Sequence, residues 1–94
     1  MKAAVFHGPR DFRIEEVNGP TLGPDGAIIR VKASGICGSD LHIYNQGGTA
    51  QSRGVLGHEF SGEVVEVGAN VTDVKPGMRV AVGGTGAYAE YVGI

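Results

Sequence analysis

Phe60-Ser61-Gly62-Glu63-Val64-Val65-Glu66-Val67-Gly68 is the stretch from which the architecture can be read. Its β-branched run and its glycine exit predict a strand. Working upstream, the turn Pro24-Asp25-Gly26 precedes Ala27 to Ser34, which places Ile29, Val31 and Ala33 on one face. Lys2 to His7 forms another strand signal, ended by Gly8-Pro9, and Phe12 to Val17 follows, stopped by Asn18-Gly19-Pro20. Phe12, Ile14 and Val17 are predicted to face inward. Downstream, Lys75-Pro76-Gly77 turns the chain into Arg79 to Val82, and Tyr88 to Val92 is the last strand signal. The 17 glycines are dispersed among these segments as turn residues. Only Ser39 to Tyr44 resembles a helix, with Ser39 as a candidate cap and Asp40 in its first turn. Short strands with hardly any helix predict a mainly β domain, a small barrel or sandwich around one core.

Composition narrows the function. Eight Lys+Arg against 10 Asp+Glu give a formal charge of −2 over 94 residues, with no basic stripe, so no nucleic-acid partner is expected. No apolar run approaches the roughly 20 residues of a membrane helix. The N-terminus turns polar at His7 before a signal-peptide core could form, which predicts a cytoplasmic chain. Cys37 is the single cysteine, so an internal disulfide and a four-cysteine zinc knuckle are both excluded within this stretch.

Two clusters stand out against the strands: Gly35-Ile36-Cys37-Gly38-Ser39-Asp40-Leu41-His42 and Gly57-His58-Glu59-Phe60. They gather a thiol, a hydroxyl, two carboxylates and two imidazoles into loops between strands, where function usually lives. Zinc favours thiolate and imidazole, and a catalytic zinc has three protein ligands and one open position. Cys37 and His58 are donors of that kind, but spacing alone does not bring them together. Each residue also has a plain structural reading. Cys37 could be a small buried apolar side chain, Ser39 a helix cap, Asp40 a first-turn charge, His42 a solvated ring and Glu59 a strand-flanking charge. His7, outside both clusters, reads as a surface residue.

Taken in order, Cys37-Gly-Ser39-Asp40-x-His42 followed by Gly57-His58-Glu59 resembles the catalytic-zinc signature of the zinc-dependent medium-chain alcohol dehydrogenases, nearest the polyol and threonine branches. The resemblance continues through Phe60 to Gly68, Val74-Lys-Pro-Gly77, Arg79-Val80 and Ala87-Tyr-Ala-Glu-Tyr-Val92, covering nearly the whole chain. It implies a GroES-like, partly open β-barrel with one or two very short helices. Cys37 and His58 are then zinc ligands, Glu59 approaches the metal or its water, and Asp40 orients the His58 ring. Ser39 becomes the hydroxyl that takes the alcohol's proton, and His42 the outer end of the relay to solvent.

Other family features have no counterpart in residues 1–94. Gly83-Gly84-Thr85-Gly86 opens no amphipathic helix, so it is a tight connection and not a nucleotide-binding fingerprint. Many family members carry a four-cysteine lobe for a structural zinc at this point, whereas here Val82 leads almost directly to Ala87. The family's third zinc ligand lies beyond the Tyr-Ala-Glu-Tyr-Val segment, so zinc is expected to bind weakly to an incomplete set. The resemblance thus implies a truncated or excised catalytic domain spanning 1–94, inactive alone. NAD(P) enters only if another chain supplies the nucleotide-binding domain in trans. An exposed strand edge or apolar face is expected to drive formation of a homo-oligomer. The competing reading is a non-enzymatic β-barrel scaffold or a weak metal-binding module.

Overall fold

A computed structural model describes residues 1–48 and 54–94. Its elements are β1 (Lys2–Gly8), β2 (Asp11–Glu16), β3 (Ala27–Ser34), α1 (Gly38–Gln46), β4 (Gly54–Val55), β5 (Glu59–Val67), β6 (Arg79–Gly83) and β7 (Tyr91–Gly93). The strands form two antiparallel sheets, ordered β2-β1-β4 and β6-β5-β3-β7. The segment before β7 stitches them together. Tyr88 accepts from the Ala4 amide at 2.8 Å, the Glu90 amide donates to Lys2 at 3.2 Å, and the Glu90 carbonyl accepts from Val31 at 2.9 Å. One stretch of backbone thus serves β1 and β3 together, and the result is a mainly β, partly open barrel.

The core forms where β3 meets β5. Ile29 stands opposite Val64 in the ladder, and Ala27, Phe60, Ala87 and Val92 complete the buried cluster. Fully burying a side chain such as Ile29 or Val64 contributes about 1.5–3 kcal/mol. Phe6 is buried on the other sheet, its ring 5.2 Å from that of Phe12.

β3 occupies the predicted residues, with Ile29 inside and Val31 half-buried. Ala33 is exposed, because a bulge between Val31 and Ala33 shifts the register and breaks the alternation. Ile14 overturns its expectation at 73% exposure: it lies on edge strand β2, opposite Ala4. Phe12 and Val17 are half-buried. Regular pairing in the last strand begins only at Tyr91, because Tyr88 to Glu90 cross between sheets. The two-residue β4, against Val5 and Phe6, had no visible signal. His7 is half-buried and paired through Nε2 with Glu15.

The helix is longer than predicted, and Cys37 caps it where Ser39 was the candidate. The reason is Asp40, whose carboxylate reaches back to accept the Cys37 amide at 3.0 Å, as a third-position acidic residue does in a capping box. At the far end Gly47, left-handed at φ +91°, donates to Ile43 at 2.7 Å. The β1–β2 turn clamps this end, with the Arg10 amide donating to Tyr44 at 2.7 Å and the Arg10 guanidinium 5.8 Å from the Tyr44 ring centroid. Polar contacts at both ends therefore fix the helix that carries half of the candidate site.

Candidate metal centre

One backbone bond joins the two sequence clusters, and four more brace the second. The Gly35 amide donates to the Glu59 carbonyl at 2.7 Å, setting the loop before α1 beside the start of β5. Residues 84–88 then run along residues 56–58. Gly84 donates to His58 at 3.2 Å, Gly86 and Ala87 to Gly57 at 3.0 and 3.1 Å, and Tyr88 to Leu56 at 2.9 Å. The glycine-rich connection is therefore a backbone splint for the segment that carries His58. Gly57 must be glycine: its φ is +95°, and a Cβ there would lie 2.9 Å from the Tyr88 ring.

Cys37, His58 and Glu59 each present a donor atom, and the three atoms lie within 4.8 Å of one another. The His58 ring is divided between two carboxylates. Nδ1 lies 3.6 Å from Asp40 Oδ1, and Nε2 lies 3.6 Å from Glu59 Oε1. These separations are longer than hydrogen bonds and place one carboxylate beside each ring nitrogen. They show which way each nitrogen points: Nδ1 inward, and Nε2 toward the donor cluster.

Among the described residues Asp40 is the one buried charged side chain, at 6% exposure. Its Oδ2 accepts from the Cys37 amide and from the Tyr88 hydroxyl, each at 3.0 Å. Burial, followed by the neighbouring Asp40 carboxylate, pushes the Tyr88 phenol up to about 12. It therefore stays protonated, and a donor, throughout the neutral range. Ser39 and His42 are exposed on α1, three residues apart and so on one helix face. His42 is not one of the three converging donors. Tyr88 escaped the sequence reading, because a hydroxylated aromatic in a strand pattern looks like any half-buried tyrosine.

Thiol, imidazole and carboxylate converging on one point make a donor set that zinc accepts, so the residues present fit that ion. An open β-barrel with such a cluster in the loops at one end defines a domain class. Residues 23–94 match the alcohol dehydrogenase GroES-like domain, and the chain belongs to that family. It is 45% identical over 86 residues to a sorbitol dehydrogenase of Bacillus subtilis, covering 87% of this chain and 24% of that protein. With the (R,R)-butanediol dehydrogenase of the same organism it shares 47% identity over 94 residues, 87% of this chain and 27% of the relative. The crystal structure of galactitol-1-phosphate dehydrogenase from Escherichia coli superposes with a TM-score of 0.90 at 28% identity, covering 100% of this chain and 36% of that one. That of 2R,3R-butanediol dehydrogenase from Bacillus subtilis gives 0.82 at 36% identity, with 99% and 38% covered. The chain thus spans about a quarter of the length of these curated relatives. No described helix is long and apolar enough to cross a membrane.

Proposed function

We propose that these 94 residues are the metal-site part of a zinc-dependent, NAD(P)-linked alcohol or polyol dehydrogenase, with nucleotide binding supplied by further polypeptide in the same or another chain. The observation that carries this reading is the convergence of Cys37, His58 and Glu59 with Asp40 behind the histidine. Cys37, His58 and Glu59 would hold a zinc ion, and that ion would supply Lewis-acid polarisation of a substrate hydroxyl. The chain's own groups do the rest. Asp40 keeps His58 Nδ1 facing inward, so that Nε2 remains a donor. The Ser39 hydroxyl accepts the proton released by the substrate, and His42, exposed on the same helix face, passes it to solvent. NAD(P) supplies the hydride acceptor. In this reading the protein is cytoplasmic, with neither nucleic acid nor a membrane as partner.

The isolated chain, given zinc and NAD or NADP, should show no alcohol oxidation in a nicotinamide absorbance assay. Without a bound nicotinamide the positioning that supplies much of an enzyme's rate is missing. Joining or mixing it with a nucleotide-binding domain should produce turnover that His58→Ala abolishes. Zinc-dependent turnover by the chain alone, lost in His58→Ala, would overturn the division of labour proposed here.

The isolated chain should also self-associate. Among the described residues Ile14, Ile36, Leu41 and Ile94 are large apolar side chains left exposed, and β2, β4, β6 and β7 are sheet edges. Light scattering over a concentration series should show a mass rising above the monomer, and a constant monomer mass at high concentration would refute this.

A further inference from the structure

A carboxylate as buried as Asp40 is costly unless hydrogen bonds satisfy it. Two donors reach its Oδ2, the Cys37 amide and the Tyr88 hydroxyl. A phenol has one proton to give, and the Gly35 carbonyl competes for it at 3.3 Å. The nearer, charged acceptor wins, because hydrogen bonds to ionised groups are roughly twice as strong as neutral ones. With Oδ2 held from two sides the carboxylate is fixed in rotation, and Oδ1 is left facing His58 Nδ1.

Tyr88 is itself fixed. Its amide donates to Leu56 and that of Ala87 to Gly57, so the backbone that carries the hydroxyl also braces the segment carrying His58. Its ring fills the space over Gly57 and meets Phe12 edge-on at 6.2 Å. The hydroxyl is thus presented to Asp40 by a rigid frame, 48 residues away in sequence.

We propose that Tyr88 is a positioning residue of this site: its hydroxyl holds the Asp40 carboxylate in the orientation that selects the Nδ1–H tautomer of His58, leaving Nε2 as the donor atom toward Cys37 and Glu59. This rests on the metal-site reading, but its first consequence needs no metal. A free neutral imidazole prefers the Nε2–H form; here each nitrogen faces a carboxylate at 3.6 Å, and the buried Asp40, screened less by water than the exposed Glu59, favours the proton on Nδ1.

Tyr88→Phe keeps the ring and removes only the hydroxyl. Nitrogen–proton correlation spectra of the metal-free chain, recorded at about pH 8 where an ordinary imidazole is neutral, should show His58 protonated on Nδ1 in wild type. They should show a shift toward Nε2–H in Tyr88→Phe. Zinc affinity, measured by competition with a chromophoric chelator, should fall roughly tenfold in Tyr88→Phe. The Tyr88→Phe/Asp40→Asn double variant should bind no more weakly than Asp40→Asn, since both changes act through one carboxylate. Should Asp40→Asn fail to fold, the Tyr88→Phe spectrum decides alone. A wild-type His58 protonated on Nε2, an unchanged tautomer in Tyr88→Phe, or zinc effects that multiply in the double variant would each overturn the proposal. A wild type that binds no zinc defeats the metal-site reading instead, and the tautomer shift still supports or refutes the role of Tyr88.

Discussion

Zinc titrated calorimetrically into the wild-type chain should bind, and Cys37→Ser or His58→Ala should weaken that binding by more than about 100-fold, beyond the roughly 10–100-fold typical of losing an outer partner. Each variant removes one of three converging donors, and serine replaces a soft thiolate with a poor ligand. Asp40→Asn should fall in the milder range, because it leaves all three donors and loosens only the orientation of one. Wild-type affinity should still be modest, since Glu59 is largely exposed and ordering an exposed side chain to complete the set costs conformational entropy. The metal-free protein should stay folded. Its core of Ile29, Phe60, Val64 and Val92 lies between the strands, and the donor loops sit at their ends. Circular dichroism of the apo protein tests this directly. Equal zinc affinity in wild type and Cys37→Ser, or no binding by either, would leave the barrel as a scaffold bearing an idle motif.

Short-range signals explain what the sequence disclosed of this arrangement. The bounds of β3 are legible because the turn Pro24-Asp25-Gly26 marks its start, but its faces are legible only as far as Val31, where a bulge breaks the alternation and exposes Ala33. Ile14 is exposed despite its place in the alternation, because alternation tells which residues share a face, not whether any element covers it. The helix cap differs from the local signal for a related reason. Serine is the better intrinsic cap, but Asp40 binds the Cys37 amide and moves the helix start forward. Cys37, His58 and Glu59 could be joined only through the order of the whole motif, since the link that unites them is a backbone bond between Gly35 and Glu59. Tyr88 was invisible because its partner is decided by how the chain crosses from one sheet to the other.

The frame behind the site can be tested with a single methyl group. Gly62→Ala should be severely destabilising, by about 3 kcal/mol or more, the upper range for forcing extra volume into a packed interior. Gly62 lies in β5, paired with Val31 of β3 on one side and Val80 of β6 on the other. A Cβ there would sit 2.1 Å from the Arg30 carbonyl oxygen and 2.8 Å from Ile29 Cγ2. Neither neighbour is a flexible side-chain end. Relief requires β5 to part from β3, and that separation opens the contact between Ile29 and Val64. A small domain has only about 5–15 kcal/mol of stability to lose. Gly83→Ala is the matched control, because a Cβ at that position meets nothing closer than the His58 carbonyl at 4.0 Å. Urea unfolding followed by circular dichroism should show a much lower midpoint for Gly62→Ala and little change for Gly83→Ala. Similar midpoints for both variants would refute the close-packed account of the β3–β5 ladder. The comparison also separates frame from site. Gly62→Ala should lose stability and zinc binding together, because β5 begins at Glu59, whereas Cys37→Ser should lose zinc and keep the wild-type midpoint.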